Sequence, residues 1–187
     1  DRHMSAAGFF LVVTVTNVDT GTRTIALPSS SIIGLCDTFT PGPDVTAKPN
    51  QLMLLTSERE AVAAFGEGAA ITQSAKAVFT RAKAVIVAVG VELKADPALL
   101  TSAIIGGVLV TGVRTGLQAL LDGKSKFNSQ PRLVIAPGHS STQAVATAMD
   151  ALAGKLRAVA IVDGPNTTDE AAIDFVENFG SKRVFLV

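Results

Sequence analysis

The chain predicts an α/β fold: a mostly parallel sheet flanked by helices on both faces, preceded by an N-terminal β arm or hairpin. Three observations predict it. From Arg132 to Val187 the pattern runs strand, helix, strand, helix, strand, the alternation that builds parallel sheets. The runs Leu133-Val134-Ile135-Ala136 and Ala158-Val159-Ala160-Ile161-Val162 are continuously apolar, as strands covered on both faces must be. Near the other end, Val13, Thr14, Val15, Thr16, Asn17 and Val18 alternate apolar and polar in period two, which suits a half-buried or edge strand.

Taken in order, Asp1-Arg2-His3 ahead of Met4 reads as a vector scar. Residues 1–4 therefore stand outside the fold, 5–30 form the β arm or hairpin, and 31–187 form the α/β body. Asp19-Thr20-Gly21-Thr22 is a turn signal leading into Arg23-Thr24-Ile25-Ala26-Leu27, which pairs naturally with the strand before it. Ser31-Ile32-Ile33-Gly34-Leu35-Cys36 offers the first strand of the body. Thr40-Pro41-Gly42-Pro43-Asp44 and Lys48-Pro49-Asn50 punctuate loops, and Met53-Leu54-Leu55 is a brief extended segment. Ser57 with Glu60 three positions later makes a capping box for a helix that stops at Phe65-Gly66. A helix over 71–82 and a buried strand over 84–89 follow. Helical segments over 97–105 and 117–121 are separated by Gly106-Gly107 and a Val/Thr-rich link.

In the C-terminal run, a helix over 141–156 places Ala144, Val145, Ala148, Met149 and Leu152 on one stripe. Thr167 or Thr168 can cap the next helix, with Asp169 and Glu170 in its first turn. Ile173, Val176 and Phe179 would be its apolar face and Gly180 its stop. The strand Arg183-Val184-Phe185-Leu186-Val187 closes the run, with right-handed crossovers and the three strands parallel neighbours or near neighbours. Because the sequence stops inside this strand pattern, the expectation is the N-terminal part of a longer protein, truncated at the C-terminal end of the body.

Composition narrows the function. At 187 residues and 48% apolar content the chain can bury one sizeable core, with or without an arm. Sixteen basic and sixteen acidic residues leave no net charge to draw it to nucleic acid or an anionic membrane. Cys36 is the only cysteine, which removes an internal disulfide framework and any Cys-rich zinc site. There is no Trp or Tyr, two common anchors of recognition surfaces. The apolar stretch 9–15 is too short to span a bilayer, and no secretory signal pattern precedes it. A cytosolic or cytosol-assembled protein is expected.

The loop Pro137-Gly138-His139-Ser140-Ser141-Thr142 lies between strand and helix, where an α/β-hydrolase carries its G-x-S-x-G nucleophile. The last glycine is missing. A serine nucleophile also needs a separate imidazole oriented by a carboxylate, and the only histidines are His139, beside the serine, and His3. Ser140 or Ser141 is instead expected to cap the following helix, with Gly138 permitting the turn. A small hydrolase using Ser140 is thus an alternative, not the expectation. Asp163-Gly164-Pro165-Asn166 follows a strand's carboxyl end, where open α/β sheets bind ligands, so a nucleotide- or metabolite-binding module is a second alternative. Its simpler role is a tight turn. Gly66-Glu67-Gly68 and Gly106-Gly107 lack dinucleotide-loop spacing. Asp37 and Asp44 sit near loops without a metal-ligand cluster around them. Cys36 reads as an inert buried side chain. No catalytic residue, metal or cofactor is expected.

The order and spacing of several segments carry more. Val13-Thr14-Val15-Thr16-Asn17-Val18-Asp19-Thr20-Gly21, Ile33-Gly34-Leu35 before Thr38-Phe39-Thr40-Pro41-Gly42, and Leu54-Leu55-Thr56-Ser57 before Ala64-Phe65-Gly66 resemble the N-terminal part of contractile tail sheath proteins. So do Gly116-Leu117-Gln118-Ala119-Leu120-Leu121-Asp122, the run from Gln130 to Ser140, the run from Ala158 to Pro165, and Asn178-Phe179-Gly180-Ser181-Lys182-Arg183. The resemblance, to sheaths of the P2-type myophage and R-type pyocin kind, covers nearly everything from Gly8 onward. Where members of that family often carry His-Gly, this chain has Leu11-Val12, which favours extended backbone there.

The resemblance implies a structural subunit, not an enzyme, that assembles helically around an inner tail tube and contracts to drive it through a target envelope. It implies as partners other sheath subunits, joined by strand addition, the tube protein, and baseplate and tail terminator proteins, with no nucleic acid and no membrane insertion. Residues 13–18 are the candidate inter-subunit strand. The implied place is the tail sheath of a virion or pyocin particle, assembled in the host cytoplasm. A body lacking the rest of the protein is expected to stay soluble and form no sheath.

Overall fold

The computed structural model describes residues 32–165 and 167–187. The arm expected over 5–30, including the strand at 13–18, lies outside the described residues. Within them a six-stranded sheet has the order β2-β3-β1-β4-β5-β6. Its strands are β1 (Ile32–Phe39), β2 (Leu52–Leu55), β3 (Val85–Glu92), β4 (Leu133–Ile135), β5 (Val159–Val162) and β6 (Val184–Leu186). All neighbouring pairs are parallel except β2, which runs antiparallel to β3 at one edge.

The two long central strands explain this arrangement. In β3, Ile86 and Ala88 face one layer while Val87, Val89 and Val91 face the other, and all are buried. Both faces of such a strand need cover. Helices α1 (Glu58–Phe65) and α2 (Ala70–Arg81) cover the first face around Leu35, Phe39, Leu55, Phe65 and Ile71. The second face is covered by α3 (Pro97–Ile105), a 3-10 helix (Gly116–Asp122), α4 (Gly123–Phe127), α5 (Gln143–Leu156) and α6 (Asp169–Glu177). Ile104, Leu117, Leu120, Met149 and Leu152 form its core. Gly90 of β3 makes room for the first layer. A Cβ there would come within 2.5 Å of Phe65 Cε1 and 2.7 Å of Phe39 Cδ1, and those two rings meet edge to face at 5.3 Å.

Several local expectations are modified. The capping box holds in part: Glu60 N donates to Ser57 Oγ, but the Glu60 carboxylate reaches Thr56, accepting from its backbone N at 2.6 Å and from its hydroxyl. Residues 116–122 wind as a 3-10 helix rather than an α-helix. Leu117 and Leu120, both fully buried, stand three apart and so eclipse on one side at three residues per turn. In α5, Ala144 faces solvent and Ala146, Ala153 and Leu156 join the buried stripe with Val145, Met149 and Leu152.

Neither serine caps that helix. Its N-cap residue is Thr142, which makes no side-chain cap bond, and Ser140 is drawn away by a carboxylate described below. Thr168 does cap α6, accepting from Ala171 N. That helix ends at Asn178 rather than Gly180, because the Asn178 amide folds back to donate to the Asp174 carbonyl. Its buried anchor is Phe175, packed edge to face on Phe179, whereas Ile173 and Val176 are 58% and 45% exposed. Helix α6 carries two apolar stripes, and the one with the two aromatic rings turns to the sheet.

Candidate functional site

Strand order reverses direction beside β1: β3 lies on one side of it and β4 on the other. In open α/β sheets the crevice for ligands lies outside the carboxyl ends of strands at such a reversal. Here that position is occupied by the protein's own side chains. Asp37, near the carboxyl end of β1, is only 2% exposed. A buried carboxylate requires partners, and Asp37 has three. The Thr38 N–H donates to Oδ1 at 2.7 Å, the Ser74 hydroxyl of α2 donates to Oδ2 at 2.7 Å, and His139 Nε2 lies 3.3 Å from Oδ1. Since a carboxylate only accepts, Nε2 carries the proton in this pair.

A second carboxylate holds the same loop from the other side. Asp163, just past β5, accepts from the Ser140 hydroxyl at 2.7 Å and from the Gly138 N–H at 3.2 Å, and its own N–H donates to Ser140 Oγ at 3.0 Å. Gly138 takes a φ of 72°, a left-handed conformation that suits glycine, and Ser140 is 1% exposed. The β4–α5 loop is thereby tied to β1 and α2 through His139 and to β5 through Ser140.

This geometry decides what the loop can do. His139 pairs with Asp37 and Ser140 donates to Asp163, so His139 is not aligned as a base on Ser140. The hydrolase alternative lacks its first requirement. The cleft beside Ser140 and Asp163, walled by Ile135, Pro137 and Ile161, holds about 200 Å³, below the range of small-molecule sites. The turn reading of Asp163 is extended: it anchors the neighbouring loop. Sequence reasoning noted Asp37 only as a loop neighbour and missed its role. The available signal was an acid within the otherwise apolar run Ile32-Ile33-Gly34-Leu35-Cys36-Asp37.

Cys36 is fully buried, and burial, reinforced by the neighbouring Asp37 charge, pushes its thiol far above the ordinary range. Among the described residues no group of three His, Cys, Asp or Glu side chains is placed to hold a metal ion, and no helix is long and apolar enough to cross a membrane. The candidate strand of Val13, Thr14, Val15, Thr16, Asn17 and Val18 lies outside the described residues.

The hydrogen-bonded loop thus fills a place where ligand sites usually open. No protein-family model matches the chain. A prophage major tail sheath protein of Pseudomonas aeruginosa (strain UCBPP-PA14) is 66% identical over 179 residues, 96% of this chain and 46% of that protein. The chain belongs to the tail sheath family.

The tail sheath protein of Escherichia phage P2 is 28% identical over 183 residues, covering 94% of this chain and 46% of its own length. The tail sheath protein of Burkholderia phage BcepMu matches a shorter stretch, 38% identical over 72 residues. This sheath sequence thus spans about half the length of the first two relatives. Its fold also matches a chain in the cryo-EM structure of the anti-feeding prophage baseplate in its contracted state, with a TM-score of 0.52 at 15% identity, over 96% of this chain and 47% of the other.

Proposed function

We propose that the chain is part of a structural subunit of a contractile tail sheath, which assembles helically around an inner tube and contracts to drive the tube through a target envelope. The observation that carries this reading is the 66% identity to a prophage major tail sheath protein across nearly the whole chain. The pinned loop supports it. Hydrogen bonds between Asp37, Ser74 and His139 and between Ser140 and Asp163 couple four elements into one body, and contraction moves such bodies against one another without deforming them. The role is mechanical, not enzymatic.

In this reading the partners are other sheath subunits, the tube protein, and baseplate and terminator proteins, and the place is a virion or pyocin tail assembled in the host cytoplasm. The segment Val13, Thr14, Val15, Thr16, Asn17 and Val18 supplies strand addition to a neighbour, since its alternating Val and Thr or Asn suits an edge. A chimera tests the function: this chain replaces the matching stretch of the Pseudomonas aeruginosa relative in a strain lacking its own sheath gene. Contractile particles in negative-stain micrographs are expected. A soluble, well-folded chimera that yields bare tubes overturns the reading.

A further inference from the structure

Two exposed apolar surfaces lie at opposite edges of the sheet and carry opposite charge. The first is built on the segment between Gly106 and Gly116, which folds back on itself. The Leu109 N–H donates to the Val113 carbonyl at 2.8 Å and the Gly112 N–H to the Leu109 carbonyl at 2.8 Å. The base of the turn is pinched, since a Cβ on Gly106 would fall 1.9 Å from the Thr115 carbonyl oxygen. The turn thus holds Val108, Leu109 and Val113 in water, each more than half exposed, and a cluster of this kind marks an interaction site. Leu109 walls two adjoining clefts, of about 390 and 460 Å³, that also share Asn50 and Thr115. Lys48 and Lys126 line one and Lys94, paired with Glu92, lines the other. Among the described residues no acidic side chain lines either cleft, and neither Lys48 nor Lys126 has an acidic partner.

The second surface is the outer face of α6, a helix with four acids and no base. With Phe175 turned inward, Ile173 and Val176 stand exposed. Glu170 and Glu177, three and four positions from Ile173, are exposed on the same face. Among the described residues none of the α6 acids has a cationic partner. Gln51, in the cleft with Lys48, leads into β2, and Leu186, against Ile173 and Val176, belongs to β6. Those strands are the two edges of the sheet, five strand spacings or roughly 24 Å apart, so one copy cannot close the two surfaces on each other.

We propose that α6 of one copy docks in the lysine-rimmed clefts of a second copy, with Ile173 and Val176 against Leu109 and Val113 and the α6 carboxylates toward Lys48 and Lys126. An apolar helix face laid into an apolar groove is a common recognition mode, and the charges disfavour pairing of like surfaces. Because the two surfaces differ, the contact is head to tail and leaves one groove and one α6 open on every pair; its repetition gives a ring or an open helix. The inference rests on the sheath reading, which requires a helical array of copies, and adds to it a contact through the folded body.

The test mixes two singly substituted 187-residue chains, Leu109→Cys and Ile173→Cys, under oxidised glutathione. Both sites are exposed, and native Cys36 is fully buried. The mixed L109C–I173C dimer is expected to exceed the two symmetric dimers together by about tenfold, whereas random collision cannot make it exceed them at all. Lys48→Glu with Lys126→Glu in the L109C chain should slow the mixed dimer at least about threefold, and Glu170→Lys with Glu177→Lys in the I173C chain should restore it. The same substitutions are then placed in the full-length chimera, where the cross-link is read whether or not particles contract, so failure here and failure of the sheath reading are told apart. A mixed dimer that is absent or no more abundant than the symmetric ones, or a rate indifferent to charge reversal, would overturn the proposal. So would a cross-link that forms in the 187-residue chain and is lost in the chimera, because the rest of the protein would then cover one of the surfaces.

Discussion

His139 Nε2 lies 3.3 Å from Asp37 Oδ1, joining residues 102 positions apart at the point where strand order reverses. The pair lies at the crevice in which comparable sheets hold ligands, and it turns the His139 imidazole away from the neighbouring serine. A loop that resembles an active site in sequence therefore becomes a fastening.

If the fastening contributes to stability, its members must be coupled. Asp37→Asn and His139→Ala are each expected to lower unfolding free energy by about 1–3 kcal/mol, and the double variant to cost less than their sum by at least ~0.5 kcal/mol. Urea denaturation of the four proteins measures this; strict additivity would show that the contact carries no energy.

Ser140 serves Asp163, so its loss should be structural. Ser140→Ala leaves the Asp163 carboxylate one donor short and should cost about 1–3 kcal/mol. The unmodified protein should not react with a fluorophosphonate probe at Ser140. A Ser140 adduct found by peptide mass spectrometry would restore the hydrolase alternative.

Cys36 makes stability depend on pH in the alkaline range. Its folded pKa is raised above the ordinary 9.0 by burial. Its contribution is therefore fully present below pH 9.0 and declines above it, as the unfolded chain ionises while the folded thiol does not. Between pH 9 and pH 10.5 the unmodified protein should lose more stability than Cys36→Ala, by up to ~1.4 kcal/mol per pH unit. Parallel denaturation curves at the two pH values check the sign. Equal losses would refute it.

The two stripes of α6 separate by mutation. Phe175→Ala removes a 7%-exposed ring and should cost about 3–5 kcal/mol, whereas Ile173→Ser at a 58%-exposed site should change stability by less than ~0.5 kcal/mol. Thermal melts of both variants distinguish the observed orientation from its alternative.

Gly90→Ala probes the fit of the first layer. The added Cβ meets Phe65 and Phe39 at distances no unshifted carbon tolerates, and overpacking of this kind costs about 1–3 kcal/mol. A neutral result would mean that the Phe39–Phe65 pair can slide aside.

The sequence alone determined the class of fold, because it depends on local regularities. Apolar runs at β1 (Ile32 to Cys36), β3, β4 and β5, and helices between most of them, can satisfy their backbone and bury their faces only as a covered parallel sheet. A threonine cap at 167 or 168 and a stop at Phe65-Gly66 were legible for the same reason, each acting within a few residues, and the fold selects Thr168. The order of segments also pointed to the sheath family.

Only the tertiary structure decided which partners Ser140, His139 and Asp37 take. These side chains can each make several hydrogen bonds, and the choice among them depends on which strand ends the sheet order brings together. It likewise decided which apolar stripe of α6 turns inward and that 116–122 tightens to a 3-10 helix, since both follow from the shape of the surface they pack on. Local sequence sets what a segment can bury and bond; the neighbours supplied by the fold select among those options.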